Sequence, residues 1–310
     1  MLIPFGILSA SASVGPVRVS VAGYFGGGTT GTRVATVDKF AFPADTRTTL
    51  GTGLSVARDA LASSSNSGVA GYFAGGWTPT LQTTIDKFAF PADTRSTLGT
   101  GLAAGRRALA GMSNTGTAGY YAGGDTGSPV ATVEKFTYPA DSRSTLATGL
   151  SNANRSGAAF SNAQVAGYYG GGFTGSVFLD VVDKFTFPAD TRSTLGTGLS
   201  FANGAFSGMA NAGVAGYFGG AINNVDTVTK FTLPAETRSL LSTGLSAGRQ
   251  ATGAMADSGV AGYFGGGYDN VIYYTTVDKF AFPSDTRTTL GTGLSAARQI
   301  LSGLSDEGVF

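Results

Sequence analysis

The stretch Ala22-Gly23-Tyr24-Phe25-Gly26-Gly27-Gly28 returns, lightly edited, five more times along the chain. The later copies are AGYFAGG from Ala70, AGYYAGG from Ala118, AGYYGGG from Ala166, AGYFGGA from Ala215 and AGYFGGG from Ala261. Successive copies start 48, 48, 48, 49 and 46 residues apart. A period of this length is typical of architectures in which each repeat forms one supersecondary unit. The 310 residues are therefore expected to form one closed body rather than two ordinary domains.

One copy, from Val69 to Gly116, is predicted to contain four short β-strands. VAGYFAGG is aromatic and ends in glycines, and TIDKFAF alternates with a period of two. The turn PADT separates TIDKFAF from a third strand, RSTL, and a fourth apolar segment at 102–110 precedes the turn SNTG. A helix over 102–110 is the main alternative. It is disfavoured because the equivalent stretches SNANRSGAAF and SFANGAFSGM are rich in Gly, Asn and Ser.

Four antiparallel strands repeated six times predict an all-β fold, a six-bladed β-propeller over residues 16–310. Radial repetition protects the sheet edges, and the 21 Phe and 12 Tyr residues are expected to fill the space between blades. A C-terminal strand at about 298–303 is predicted to complete the first blade, and residues 1–15 are predicted to form an apolar N-terminal arm. Ile7-Leu8-Ser9-Ala10 resembles Ile300-Leu301-Ser302-Gly303, so the N-terminal segment is a competitor for the same slot.

Composition excludes several classes of function. The chain has no Cys and no His, which excludes disulfides, metal sites built on thiolate or imidazole, and a histidine general base. The net charge is +1 with no basic stripe, so nucleic acid is not an expected partner. The apolar start, MLIPFGILSA, is too short to span a bilayer, and no membrane insertion is expected.

Three features together resemble the kelch repeat: a glycine doublet after an aromatic strand, a following V-(D/E)-K-F strand, and an Arg that opens the next strand. The doublets start at Gly26, Gly75, Gly123, Gly171, Gly219 and Gly266, and the arginines are Arg58, Arg106, Arg155, Arg249 and Arg298, with Asn203 near that place in the fifth copy. Kelch repeats usually carry a Trp in the outer strand. Here that position is Leu or Thr and the single Trp is Trp77, in a loop, so the repeat is kelch-like.

The array of near-identical copies also resembles the kelch-like arrays encoded by tailed bacteriophages, cyanophages among them. This resemblance implies a non-enzymatic virion component associated with the tail or tail fibre. Such a protein would assemble in the host cytoplasm and then be exposed outside the cell. Its implied partners are other virion proteins and a host surface glycan or protein. The oligomeric state is left open, with a homo-oligomer as one alternative.

The acidic residues that recur in every copy are predicted to be scaffold. One set lies two residues before an Arg and is expected to cap a turn beside that guanidinium; it comprises Asp45, Asp93, Asp141, Asp190, Glu236 and Asp285. A second set precedes a Lys within a strand and is expected to lie on blade surfaces; it comprises Asp38, Asp86, Glu134, Asp183 and Asp278. Near-identical carboxylates are not the asymmetric pair that acid–base catalysis needs, so no catalytic residue is predicted.

The loops between the first two strands of each copy vary, and all six are expected on one propeller face. The candidate ligand-binding residues in these loops are Trp77, Asp125, Phe173, Phe178, Asn223, Asn224, Tyr268, Asp269, Tyr273 and Tyr274. Aromatic side chains beside Asn and Asp suit contacts with carbohydrate or protein. The alternative is that the loops vary because nothing constrains them. Calcium at Asp125 or Asp269 lacks any EF-hand spacing, so no metal and no cofactor is predicted.

Two other functions remain as alternatives. A propeller enzyme, such as a glycosidase or a copper oxidase, would need His, Cys, sialidase-type Asp boxes or uniquely acidic channel residues, none of which is found in the sequence. A cellular kelch-type interaction module would usually be joined to another interaction domain.

Overall fold

The computed structural model describes residues 20–308, and every regular element in this range is a β-strand. The strands are β1 (Ala22–Gly26), β2 (Val37–Ala41), β3 (Thr46–Thr49), β4 (Ala62–Asn66), β5 (Ala70–Ala74), β6 (Ile85–Ala89), β7 (Thr94–Thr97), β8 (Ala110–Asn114), β9 (Ala118–Ala122), β10 (Val133–Thr137), β11 (Ser142–Thr145), β12 (Ala158–Asn162), β13 (Ala166–Gly170), β14 (Val182–Thr186), β15 (Thr191–Thr194), β16 (Ser207–Asn211), β17 (Ala215–Ala221), β18 (Val225–Thr232), β19 (Thr237–Leu240), β20 (Gly253–Asp257), β21 (Ala261–Gly265), β22 (Val277–Ala281), β23 (Thr286–Thr289) and β24 (Ser302–Ser305). The predicted N-terminal arm, residues 1–15, lies outside the described residues.

The strands form six four-stranded antiparallel sheets arranged in a ring, which confirms the predicted six-bladed β-propeller. In the second blade the order is β4-β5-β6-β7, from the central channel outward. The inner two strands, ASSSN and AGYFA, are buried throughout, whereas the outer strand TRST is mostly exposed. The sequence follows this gradient, because small and aromatic residues occupy the inside and Thr, Ser and Arg occupy the edge.

The C-terminal strand β24 is the innermost strand of the first blade. The order in that sheet is β24-β1-β2-β3, and Gly23 pairs with Ser305 while Gly26 pairs with Ser302. The two ends of the described chain therefore meet in one sheet. The strand begins at Ser302, later than the predicted position near residue 298, because residues 298–301 belong to an irregular segment that precedes the innermost strand.

The predicted fourth strand at 102–110 is wrong by one segment. The strand is β8, which begins at Ala110. The residues before it form an irregular crossing from β7, the outer strand of the second blade, to the channel. Backbone amides in this crossing bond to other loops instead of a sheet ladder: the Leu102 amide donates to the Thr83 carbonyl, and the Ala108 amide donates to the Ala60 carbonyl. Ala108 has a φ of 54°, which interrupts an extended strand.

Neighbouring blades are joined by a lysine and a tyrosine that reach the same carboxylate. Lys39 Nζ lies 2.6 Å from Asp93 of the next blade, and Tyr24 Oη donates to the same carboxylate at 2.8 Å. The six lysine pairs are Lys39–Asp93, Lys87–Asp141, Lys135–Asp190, Lys184–Glu236, Lys230–Asp285 and Lys279–Asp45. The prediction that these carboxylates lie beside the Arg two residues later is therefore wrong, because Lys and Tyr of the adjacent blade hold them.

The second acidic set is buried, so its prediction as blade-surface charge is wrong. Asp86 is fully buried and lies 2.9 Å from the equally buried Arg58 of the same blade. The equivalent pairs are Asp38–Arg298 at 3.0 Å, Asp278–Arg249 at 2.9 Å and Glu134–Arg106 at 3.5 Å. An isolated buried charge is costly, and the fixed spacing of Arg and Asp in the repeat supplies four of the five carboxylates with a buried arginine.

The chain segment after β24 lies against the turns of other blades, at the channel end opposite the variable loops. The Glu307 carboxylate accepts a hydrogen bond from the Ser258 amide at 2.6 Å, and the Asp306 carboxylate accepts one from Ser20 Oγ at 2.7 Å. Burial raises the pKa of Glu307 to about 8 and that of Asp257 to about 6, with nearby carboxylates adding to both effects.

Glu307 gives the folding free energy a specific pH dependence. Because the folded state raises this pKa, the protonated carboxyl stabilises the fold at low pH, and that contribution is lost as the pH rises from about 4.5 to about 8. We expect the unfolding free energy to fall by a few kcal/mol over this range, on the order that burial of one carboxyl allows. Glu307→Gln should flatten the dependence above pH 6, as measured by urea unfolding from pH 5 to pH 9. Equal slopes for the two proteins would contradict the assignment.

Candidate functional site

The variable loops all emerge on one face of the ring, called here the loop face. Each lies beside the irregular crossing that leads to the innermost strand of its own blade. Isolated bridges join the two segments, and these bridges are Thr29–Gln299, Asp59–Trp77, Arg107–Asp125, Arg155–Phe173 and Gln250–Tyr268. These bridges therefore fix one position in five of the six variable loops relative to the crossing of the same blade.

A closed ring of backbone hydrogen bonds surrounds the channel just below the loop face. In each blade one amide donates to the equivalent carbonyl of the adjacent blade, over N–O distances of 2.6 to 3.0 Å. The six residues of this ring are Ala60, Ala108, Ser156, Ala205, Ala251 and Ile300. All six have φ between 54° and 59°, a left-handed conformation that is rare for residues with a side chain. We call this ring the neck; its six residues line the channel.

A cavity of about 520 Å³ opens on the loop face above the neck. Its floor is mostly apolar and includes Leu61, Leu109, Phe206 and Leu301. A narrower space of about 90 Å³ continues between the innermost strands, where Ala, Gly and Ser predominate. The larger space has the volume of an ordinary small-ligand site.

One side of this cavity carries a run of charged and aromatic residues, called here the charged arc. The Arg33 and Arg107 guanidinium carbons lie 5.7 and 4.8 Å from the centre of a Trp77 ring. Arg33 also pairs with Asp59 at 3.2 Å. The charged arc consists of Arg33, Asp59, Trp77, Arg107, Asp125 and Arg155.

Asp125 joins the last two arginines of the charged arc. It lies 3.6 Å from Arg107 and forms an ion pair with Arg155, and it also accepts a hydrogen bond from the Gly127 amide at 2.8 Å. The Gly127 amide, with the two guanidiniums, lowers the pKa of Asp125 despite its burial. At Asp59 burial outweighs the effect of Arg33 and raises the pKa.

The arginines of the charged arc keep accessible surface. Arg33, Arg107 and Arg155 expose 34%, 38% and 34% of their side chains, whereas the paired Arg58 exposes none. Three guanidiniums against two carboxylates leave the arc with one excess positive charge. Each guanidinium has five N–H donors in a planar fork, which suits carboxylate and phosphate groups.

Of these residues, Trp77 and Asp125 are predicted site residues, whereas Arg33, Asp59 and Arg107 are not among the predicted ones. The signal for two of these lies at one repeat position, next to the buried Arg. That position is occupied by Asp59, Arg107, Arg155, Gly204, Gln250 and Gln299 in successive copies. A position that varies in charge among otherwise near-identical copies could have been identified from the sequence.

Arg155 itself was assigned to the wrong place in the repeat. The position of the buried Arg is taken by Asn154, which is 3% exposed and accepts a hydrogen bond from Tyr169. Arg155 stands one residue later and reaches Asp125 on the loop face, with its guanidinium 5.6 Å from the Phe173 ring. Asp183, which lacks the buried Arg, pairs with Arg192 at 3.4 Å instead.

The other predicted residues lie on the loop face but mainly contact their own loops. Phe173 packs on Phe178 with ring centres 4.8 Å apart, and Tyr268 packs on Tyr273 at 4.9 Å. Tyr274 Oη donates to Asp269 at 2.9 Å. These pairs belong to the fourth and sixth blades, and none of these side chains lines the cavity above the neck.

The fifth blade departs from the predicted loop. The stretch AINNVDTV is mostly strand, because β17 and β18 extend into it. Asn223 and Asn224 form the tight turn with φ values of 67° and 56°, a conformation that Asn tolerates. The Asn224 side-chain nitrogen Nδ2 donates to the Asp269 backbone carbonyl at 2.6 Å. This hydrogen bond joins the fifth blade's turn to the sixth blade's loop.

Within residues 20–308, no group of three or more carboxylate, His or Cys side chains is placed to hold a metal ion. Asp125 and Asp269, the two considered for calcium, lie in different blades, and each accepts hydrogen bonds from its own loop. The same range contains no helix suited to crossing a bilayer.

Comparison with known proteins supports the fold. The chain is similar to the protein in the solved structure titled "Structure of YjhT", with a TM-score of 0.66 and 13% sequence identity over 89% of this chain and 98% of that one. At this level of identity the similarity shows the propeller fold alone. No protein-family model matches the chain, and no curated protein gives a significant sequence match.

Proposed function

We propose that the protein is a non-enzymatic, kelch-like component of a tailed-phage virion, attached to the tail or its fibres. Its loop face binds a host surface glycan or a neighbouring virion protein. The carrying observation is that variable residues of the first four blades converge on one cavity, while the neck below them is built from repeated backbone contacts. The phage setting rests on the resemblance of the near-identical repeats.

The repeated carboxylates support a binding role rather than catalysis. One set is held by Lys and Tyr between blades, and the other is buried against Arg or Ser and Thr within blades. Asp59 and Asp125 are the carboxylates of the charged arc, and both form salt bridges with arginine. A glycosidase instead needs one carboxyl free to donate a proton and a second free to act on the sugar or on water.

Binding of the purified protein to intact candidate host cells tests this function. Trp77→Ala removes the ring that Arg33 and Arg107 lie against, and we expect it to weaken cell binding about tenfold or more, as for a central aromatic contact. Tyr273→Ala probes the sixth blade's loop separately. Val165→Ala is the matched control, because Val165 is 55% exposed at the turn between β12 and β13, on the opposite face.

Cell binding that is equal for the wild type and for Trp77→Ala and Tyr273→Ala would contradict a receptor site on the loop face. Purified particles would then be examined for the protein by immunolabelling. Its absence from particles would overturn the virion assignment.

A further inference from the structure

The charged arc is not required by the propeller fold. At the repeat position that holds Asp59, Arg107 and Arg155, the other three blades have Gly204, Gln250 and Gln299. Those blades form the same four-stranded sheets and contribute the same hydrogen bonds to the neck. Three of the six blades therefore fold without a charge at this position. The charges in the other three are not needed to form a blade.

The arc also places its charge beside a concave space that opens to solvent. The side chains of Arg33, Arg107 and Arg155 all line the 520 Å³ cavity. Its two carboxylates are nearly buried, with side-chain exposures of 11% for Asp59 and 4% for Asp125, whereas about a third of each arginine is exposed. A ligand entering from solvent therefore meets guanidinium donors before it meets carboxylate oxygens.

The neck supplies no free backbone hydrogen-bonding group to a ligand in the cavity. Its six amides and six carbonyls are already paired with each other, and the floor is mostly leucine and phenylalanine. Directional polar recognition must therefore come mainly from the arc. A ligand with one acidic group would balance the arc's single excess charge, and its less polar body would rest on the floor.

We propose that the mouth of the channel binds a saccharide unit that bears one acidic group, held by Arg33, Arg107 and Arg155. The proposal rests on the proposed function, since it names the class of glycan that the loop face takes. The acidic group is a carboxylate or a phosphate, because both accept paired hydrogen bonds from a guanidinium.

Trp77 is the single tryptophan of the chain and lies in the arc, so its fluorescence reports directly on this site. We would titrate the protein with D-glucuronate, with D-glucose 6-phosphate and with D-glucose, which lacks the acidic group. A saturable change in emission is expected with at least one of the two acidic sugars and not with glucose. The affinity should fall when salt is raised to about 0.5 M, because partly exposed charges are screened.

Arg155→Gln is the decisive variant because Arg155 contacts Asp125 and Phe173 rather than the tryptophan, which leaves the reporter in place. It should weaken binding of the acidic sugar about tenfold or more, the usual effect of losing a charged hydrogen bond. Arg143→Gln is the matched control, since Arg143 lies on the exposed outer strand β11 and donates to the Gly101 carbonyl. Thermal melts of both variants establish that they are folded.

Three outcomes would overturn the proposal: no response to either acidic sugar, an equal response to glucose, or unchanged affinity in Arg155→Gln. The proposed function is judged separately by cell binding. Cells that still bind the wild type but not Trp77→Ala, with no response to acidic sugars, would leave the receptor site standing and show that its ligand is a neutral glycan or a protein.

Discussion

Arg58→Asn is expected to destabilise the propeller by about 3–5 kcal/mol, the usual cost of removing one partner of a buried ion pair. Arg58 and Asp86 are both fully buried and 2.9 Å apart, and the Arg58 guanidinium also donates to the Phe73 carbonyl at 3.0 Å. Without the guanidinium, the Asp86 carboxylate keeps the hydrogen bonds from Ser55 and Thr97 and a longer ion pair with Arg95 at 3.8 Å. Asp86→Thr should be similarly harmful, because it leaves a buried cation unpaired.

The fifth blade provides the control for this prediction. It has Asn203 in place of the arginine and Thr229 in place of the aspartate, and Thr229 bonds to Ser200 at 3.1 Å much as Asp86 bonds to Ser55. The double variant Arg58→Asn/Asp86→Thr copies this natural arrangement into the second blade. We expect it to be less destabilised than either single variant.

Urea unfolding of the wild type, both single variants and the double variant measures the coupling directly. A coupling energy of about 2 kcal/mol or more is expected for groups in direct buried contact. Additive effects would show that Arg58 and Asp86 stabilise the blade independently, and that the paired replacement in the fifth blade has no energetic basis.

This ion pair also marks the limit of what the sequence could predict. The period of the AGYFGGG stretch was sufficient for the fold, because only radial closure accommodates six four-stranded units of this length without exposed edges. The alternation in TIDKFAF placed Asp86 and Phe88 on the same side, which was correct. It could not show that this side is covered by Arg58, which comes from the crossing before β4 and is 28 residues away.

The crossings between blades explain the other errors. Segments such as 102–109 are apolar enough to be taken for strands, yet their backbone bonds to loops of adjacent blades, which no local pattern encodes. The same crossings carry Arg107 and Arg155 to the channel mouth. The loops containing Trp77 and Asp125 were identifiable because they vary among copies. Arg107 and Arg155 lie in segments predicted to be repeated scaffold, whereas Arg33 lies in the first variable loop, where no aromatic or acidic residue marks it.

Removal of residues 302–310 is expected to have the largest effect on the fold. These residues include β24, whose Leu304 is 1% exposed and packs with Phe73 and Phe88 of the second blade. Without β24 the first blade has three strands, β1 becomes an unpaired inner edge, and Leu301 remains as the last floor residue. We expect the truncated chain to lose its cooperative unfolding transition, since β24 contacts the innermost strands of both neighbouring blades and repeated units are stabilised through such interfaces.

A single substitution tests the contribution of β24 to closing the ring without shortening the chain. Leu304→Ala should cost about 2–5 kcal/mol, the usual range for a buried Leu→Ala change. Leu240→Ala, on the outer strand β19 where Leu240 is 53% exposed, should cost about 0.5 kcal/mol or less. Both are measured by urea unfolding at one pH, so that the titration of Glu307 does not enter the comparison.

The truncation also decides between the two segments that compete for the slot. The sequence Ile7-Leu8-Ser9-Ala10 resembles Ile300-Leu301-Ser302-Gly303, and only the latter can be traced into the first blade among the described residues. If the chain lacking 302–310 still unfolds cooperatively, the further removal of residues 1–15 shows whether the N-terminal segment has replaced β24. Cooperative unfolding after both deletions would mean that five complete blades hold the sixth without closure, and the role assigned here to β24 would be wrong.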